Sequence, residues 1–200
     1  MSSSAHKIII ITAPSGAGKT SITRYLLKTF PDELTFSISV TTRSKRDYEK
    51  HGVDYYFITV DDFKEKITGN AFVEWEMVYE GKYYGTLKAE MHRIWKEGRT
   101  PLLDIDVKGA MNVQQQHLDN TLSLFIEAPS IDELKRRLQS RGTETPESLA
   151  ARLNKAAYEL SFQDYFDKVI VNDNLDKACK EAEETVREFL KQPYQTFLKG

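Results

Sequence analysis

Residues 13–20 read Ala-Pro-Ser-Gly-Ala-Gly-Lys-Thr, and their types and spacing suit the binding of a phosphate chain. Gly16 and Gly18 lack a Cβ, so successive backbone N–H groups can turn inward around an anion. Lys19 adds a mobile positive charge that reaches terminal phosphates, and Thr20 offers a hydroxyl to Mg2+. A helix opening here would aim its positive dipole end at the same anion. Ala13, Pro14, Ser15 and Ala17 complete the loop, with Ala13 where the pattern G-x-x-x-x-G-K-[ST] has its first glycine. That departure weakens the match, because alanine disfavours positive φ. The rival reading is a turn whose glycines only join a strand to a helix. A β-branched run before the loop and an amphipathic segment after it favour the phosphate site.

A second group of acids fits beside the loop. Leu102-Leu-Asp104-Ile-Asp106 is an apolar run ending in carboxylates, where Asp104 would hold Mg2+ through a water. By itself an aspartate at a strand end is more often a cap or turn former. The intervening chain carries Ser39, Thr41, Thr42, Arg43, Arg46, Tyr55, Glu74, Tyr83, Tyr84 and Thr86. Arg43 and Arg46, with tyrosine hydroxyls nearby, suit a dianionic phosphate, because guanidinium forks match its oxygens. Glu74 stands among large apolar residues in Phe72-Val-Glu-Trp75. A carboxylate there can accept from N1–H and the 2-amino group of guanine, whereas adenine would leave it unpaired. By pattern alone Glu74 reads equally as an exposed strand residue and Tyr84 equally as a packing residue.

The elements that must position these residues are marked by periodicity. Lys7–Ala13 reads as a buried strand, since four β-branched isoleucines in a row show no alternation. A helix runs from about Lys19 to Phe30, with Ile22, Leu26 and Phe30 on one stripe and Pro31 beyond it. Pro101–Val107, Leu122–Ala128 and Lys168–Val171 are further apolar runs, each next to a helical pattern. Such strands separated by helices predict a parallel sheet covered on both faces. Ser130-Ile-Asp-Glu133 reads as a capping box, and Thr145-Pro146 as an N-cap with proline at the first helical position. Leu149, Leu153, Ala156 and Leu160 continue one apolar face. Helical spacing recurs at Phe63/Ile67, Leu87/Met91/Ile94 and Ala178/Ala182/Val186/Phe189. From Leu34 to about Lys82 the pattern changes: Phe36, Ile38 and Val40 alternate with polar residues, and Tyr55–Val60 reads as another strand. That predicts a small mixed sheet inserted after the first parallel unit. A second candidate insert lies around Arg141–Thr145.

Composition narrows the function classes. A chain of 200 residues has room for one domain with a substantial core. A net charge of −2 argues against a broad nucleic-acid footprint. Two basic clusters remain, at Arg43/Lys45/Arg46 and at Lys135/Arg136/Arg137/Arg141, and each reads as solvated surface or as a seat for a small anion. The longest apolar stretch is Ile8–Ile11, far short of a membrane span, and the first residues lack signal-peptide character. One cysteine, Cys179, allows no internal disulfide, so the expected location is cytoplasmic. His6, His51, His92 and His117 are scattered without zinc-ligand spacing.

Taken in order, the segments resemble the guanylate kinase family. The resemblance runs from Lys7 to about Phe189 and rests on residues 13–20, Ser39-Val-Thr-Thr-Arg-Ser-Lys-Arg46, Gly52–Phe57, Phe72–Trp75, Tyr83-Tyr-Gly-Thr86, Leu103–Gly109, Arg141–Thr145 and Val171-Asn-Asp173. It implies an α/β P-loop nucleoside monophosphate kinase fold in one domain. The parallel-sheet core would span about 5–34, 98–130 and 160–200, a mixed-sheet GMP-binding insert about 35–97, and a small helical lid about 131–159. The implied reaction moves the γ-phosphoryl of ATP to GMP or dGMP with Mg2+. By carry-over, Ser39, Glu74 and Asp106 contact the guanine, and Arg43, Arg46, Tyr55 and Tyr84 bind the GMP phosphate with Thr86 nearby. Lys19 and the loop amides hold ATP, and Thr20 its magnesium. Arg141 and Arg152 close over the moving phosphoryl group, and Arg137 and Asn172 lie near the adenine. Lys19, Arg43, Arg141 and Arg152 form the expected catalytic set. Thr41, often serine in the family, and Ala13 are the departures. Two alternatives stand beside this: a non-catalytic interaction module of the same family, and a P-loop kinase with another acceptor. Retention of the charged positions argues against the first, and Glu74 with Tyr84 against the second. A homodimer is left open.

Overall fold

A strand that is apolar at every position can bury both of its faces. The computed structural model, which describes residues 6–140 and 145–193, uses the isoleucine run in that way. In β1 (Ile8–Thr12) every residue is buried. Ile9 and Ile11 enter one apolar cluster with Ile22 and Leu26 of α1 (Lys19–Thr29). Ile8 and Ile10 enter a second, with Met91 of α3 (Lys88–Lys96) and Val113 of α4 (Val107–Gln116). Successive side chains on opposite faces make β1 the centre of a two-sided core.

The main sheet adds β2 (Leu34–Phe36), β7 (Thr100–Asp104), β8 (Thr121–Glu127) and β9 (Lys168–Val171) in the order β2-β7-β1-β8-β9. All of its pairings are parallel. The chain builds first on one side of β1 and later on the other. A crevice therefore opens at the carboxyl ends of the central strands, where α/β sheets bind ligands. Registration of Ile11 with Asp104 brings the ends of β1 and β7 side by side at that crevice. Helices α5 (Ile131–Gln139), α6 (Pro146–Leu160) and α7 (Leu175–Lys191) complete the cover. Cys179 is buried within the first cluster. Among the described residues no helix is long and apolar enough to cross a membrane.

A separate four-stranded sheet, ordered β4-β3-β6-β5, is formed by β3 (Val40–Thr41), β4 (Tyr56–Phe57), β5 (Phe72–Tyr79) and β6 (Lys82–Leu87). β3 and β4 pair in parallel while β3–β6 and β5–β6 are antiparallel, so the sheet is mixed. Its small core is Val40, Phe63 and Phe72, with Phe63 from α2 (Val60–Thr68) stacked on Phe72 at 4.5 Å between ring centroids.

Several boundaries differ from the expectation, each for a local reason. The alternating run at 36–40 is divided between the two sheets. Leu34–Phe36 pairs with β7, the Ser37 N–H donates to the Leu102 carbonyl, and only Val40–Thr41 joins the mixed sheet. The Tyr55–Val60 run shortens to two residues because Thr59 caps α2: its Oγ1 accepts from the Asp62 N–H, and the Asp62 carboxylate accepts in return. Pro101–Val107 ends as a strand at Asp104, since Asp106 caps α4 through Gly109 N–H. Ser130 caps α5 as expected, but Glu133 does not complete a box. Its carboxylate is held by Arg136 and Arg137, each at 2.7 Å. Thr145 forms a full box with Ser148, with Pro146 first in α6. Residues 141–144 of the second candidate insert lie outside the described residues.

Candidate active site

The loop after β1 owes its shape to two left-handed glycines, Gly16 at φ 95° and Gly18 at φ 105°. The positive-φ positions avoid Ala13, which is also 7 % exposed. Glycine is therefore not required there, and the departure from the sequence pattern has no conformational cost. Ala17 N–H turns back to the Pro14 carbonyl at 3.1 Å, and α1 opens directly after Gly18. The helix start, Gly18 to Ser21, lines the cleft, an arrangement that suits anions. Lys19 leads the helix, and its Nζ lies 2.6 Å from Asp104 Oδ1 and 3.2 Å from the Ile105 carbonyl. Burial opposes the charge of Lys19, and the Asp104 carboxylate outweighs it, so the ammonium pKa is raised. Arg152 of α6 donates to Ser15 Oγ at 2.9 Å and so ties α6 to the loop.

These residues form one wall of a cleft of about 390 Å³ whose opposite wall comes from the mixed sheet. Glu74, on β5, projects into it together with Ser39, Tyr55 and Tyr84. Glu74 is 7 % exposed, and Oε1 accepts a 2.6 Å bond from the Thr86 hydroxyl. Burial raises its pKa to about 7; the Thr86 bond partly offsets that, and Asp106 and Glu76 add repulsion. Asp106 lies at the same end, where Oδ1 accepts from Gly109 N–H at 2.9 Å. Thr86 is buried behind Glu74 rather than facing the cleft.

Arg43 and Arg46 leave β3 on a loop that closes on Glu49. The Glu49 carboxylate receives Arg43 at 2.6 and 2.5 Å and the Arg46 backbone N–H at 2.9 Å. Arg43 hydrogen bonds hold the Glu49 pKa down at about 2 against the effect of burial. The Arg43 guanidinium lies 5.0 Å from the Tyr55 ring centroid, a cation–π distance, and Tyr55 meets the Tyr84 ring at 6.0 Å. Of the five N–H groups of Arg43, Glu49 and the Ser44 carbonyl engage three. Nε–H and the other NH2 hydrogen make up the second edge of the guanidinium, and the Tyr84 hydroxyl also acts on this group. Arg46 is 59 % exposed and touches the Tyr48 hydroxyl at 3.0 Å.

Two of the remaining expected residues do not face the cleft. Arg137 bonds the Asn172 carbonyl at 2.9 Å, and the Asn172 amide donates to the Ala17 carbonyl at 2.8 Å, behind the loop. Arg141 lies outside the described residues. Sequence reasoning passed over Glu49, Glu76, Lys155 and Glu159. The last two line the cleft from α6 as an i,i+4 pair 3.6 Å apart, and that spacing was a readable signal. Burial raises the Glu159 pKa, with Lys155 opposing. Glu49 carried no signal, being one acid in a polar loop.

A phosphate-type loop facing a basic and acidic insert across one cleft narrows the comparison with known proteins. The family model described as guanylate kinase matches residues 5–189. The chain belongs to the guanylate kinase family. A guanylate kinase of Bacteroides fragilis is 48% identical over 184 residues, 92% of this chain and 90% of that protein. One from Salinibacter ruber is 46% identical, covering 92% of this chain and 96% of its own length. Among solved structures, a guanylate kinase from Anaplasma phagocytophilum matches with TM-score 0.74 at 28% identity, over 94% of this chain and 88% of that one. A shikimate kinase from Bacteroides thetaiotaomicron, at 13% identity and TM-score 0.51, shares the fold alone.

Proposed function

We propose that this guanylate kinase family member transfers the γ-phosphoryl group of ATP to GMP, and also to dGMP, giving ADP and the corresponding diphosphate. The observation that carries the reading is the cleft itself, with Lys19 and the glycine loop on one wall, Tyr55, Tyr84 and Glu74 on the other, and Arg43 against the Tyr55 ring. In this reading the loop amides and Lys19 hold the ATP phosphates. Arg43, Arg46, Tyr55 and Tyr84 hold the phosphate of GMP, and the second edge of Arg43 suits two of its oxygens. Glu74 accepts from N1–H and the 2-amino group of guanine, with Ser39 and Asp106 beside it.

Transfer is in line. An oxygen of the GMP phosphate forms a bond to the γ-phosphorus while the bond to the β,γ-bridging oxygen breaks and ADP leaves. That acceptor oxygen is already anionic, so no general base is needed. Positioning and neutralisation of spreading charge carry the rate. Lys19 and Arg152, joined by Arg141, supply that neutralisation. The Thr20 hydroxyl, and the Asp104 carboxylate through a water, are hard oxygen donors that would hold Mg2+, which keeps few protein ligands beside substrate phosphates. When bound with ATP, Mg2+ would supply further charge neutralisation to the phosphate chain.

The lid is read as about residues 131–159, the span that carries Arg141 and, lining the cleft from α6, Arg152, Lys155 and Glu159. Closure of Arg141 and α6 over the cleft would exclude water and suppress ATP hydrolysis. A lone, buried Cys179 suits a cytoplasmic setting. The deciding experiment is ADP release from Mg·ATP with GMP, dGMP, AMP, CMP and UMP compared side by side. Turnover with GMP and dGMP is expected; equal rates with AMP would overturn the guanine assignment.

A further inference from the structure

Asn172 comes directly after β9 at the edge of the main sheet, yet its side chain reaches the centre of the phosphate loop. Its backbone is held on both sides: N–H donates to the Glu127 carbonyl at 2.8 Å, and the carbonyl accepts from Arg137 at 2.9 Å. Arg137 is in turn held by Glu133 at 2.7 Å. The side chain, in a residue 5 % exposed, donates through Nδ2 to the Ala17 carbonyl at 2.8 Å in a buried bond. Only the amide nitrogen can donate to a carbonyl, so the orientation of the Asn172 side chain is set by its partner.

That bond has a geometric consequence one atom further on. The peptide between Ala17 and Gly18 is trans, so its C=O and N–H point in opposite directions. Drawing the Ala17 carbonyl toward Asn172 turns the Gly18 N–H the other way, toward the cleft that Gly18 lines. The same packing explains the residue at position 18. A Cβ there would stand 2.1 Å from Asn172 Nδ2, in addition to the strain of φ +105°. We infer that Asn172 is a positioning residue of the phosphate loop, its amide fixing the Ala17–Gly18 peptide so that the Gly18 N–H meets the donor's phosphate chain. The inference rests on the phosphotransferase reading, and it assigns Asn172 to the phosphates in place of the adenine.

The test compares the full-length wild type with Asn172→Ala and Asn172→Asp. Aspartate keeps the size of the side chain and the backbone bonds but cannot donate, so it stands as the test should the alanine variant fail to fold. Three quantities are read: kcat and KM with ATP and with ITP as donors, the KM for GMP, and the inhibition constant of inorganic tripolyphosphate, which has no base. Both variants should lose about tenfold in kcat/KM with ATP and ITP alike, on the scale of one buried hydrogen bond. Tripolyphosphate should weaken by the same factor while the KM for GMP stays unchanged. Unaltered tripolyphosphate inhibition beside a loss confined to ATP would show an adenine contact and overturn the inference, as would variants indistinguishable from wild type. A wild type that binds tripolyphosphate but leaves GMP unphosphorylated sinks the kinase reading instead, and the variants' tripolyphosphate affinities still judge the strut.

Discussion

Residues 13–20 hang from a strand buried at every position and are tied from behind by Asn172, whereas Arg43 and Arg46 hang from a two-residue strand and are tied by Glu49. One side of the cleft is shaped by backbone conformation and apolar packing on both faces of β1. The other is shaped by charge: the Arg43–Glu49 pair, the buried Glu74, and Glu90 of α3, which accepts from Ile38 N–H where the chain passes between the two sheets. Apolar packing is indifferent to pH, while ion pairs and buried carboxylates are not. The donor wall should therefore respond to substitutions of shape, and the acceptor wall to protonation as well.

The largest effect is expected on the donor wall, where Lys19 is the charge that the loop's shape presents to the phosphates, from Lys19→Ala. Turnover should fall about 10³-fold or more, because a charge aimed at the moving phosphoryl group is lost. The circular dichroism melting point should stay within about 5 °C, since the core does not depend on this side chain. Retained turnover would mean that the loop is structural.

Glu74→Gln comes next, with about 10²-fold lost in kcat/KM for GMP as the acceptor for two guanine donors is impaired. The same change should stabilise the free protein above neutrality. The folded-state pKa of Glu74 is raised to about 7, so ionising it costs the fold stability that emerges as pH rises from about 4.5 to about 7. By that linkage the variant should gain up to ~3 kcal/mol at pH 8 and nothing at pH 4, measured by urea unfolding. An equal difference at both pH values would refute the burial argument.

Glu49→Gln should raise the KM for GMP about tenfold while the KM for ATP holds, because a buried hydrogen-bonded partner of Arg43 is weakened on the acceptor wall alone. The Glu49 pKa is depressed to about 2, so the stabilisation it provides is present above its unfolded value near 4.5 and is lost as pH falls toward 2. A matched rise in both KM values would erase the distinction between the walls. The smallest effect concerns the wild type. Between pH 8 and pH 7 the KM for GMP should rise about twofold as Glu74 takes up a proton, with the KM for ATP flat.

Much of this cleft was legible as sequence. The four isoleucines announced a doubly covered strand, the glycines and Lys19 announced a phosphate loop at its end, and α1, α6 and α7 were visible as stripes, α6 with its Thr145 cap. Short elements were not. β3 and β4 have two residues each, below what a period of two can register, and the run at 36–40 gave no sign that it crosses from one sheet to the other. Asp106 was read for chemistry although it also serves as a helix cap, a double duty that residue type alone cannot separate.

Residue types a few positions apart were enough to establish the family resemblance, the strand–loop–helix that suits phosphate, and the charged groups available for an acceptor. What those groups touch was settled by the folded chain. Glu49 became the partner of Arg43, Glu74 became a buried acid with a pKa near neutrality, and Asn172 went behind the loop to the Ala17 carbonyl. Ala13 proved free of the positive φ that made it suspect. Burial and hydrogen-bond partners across 6 to 155 residues of chain set these outcomes, and no regular sequence period encodes them.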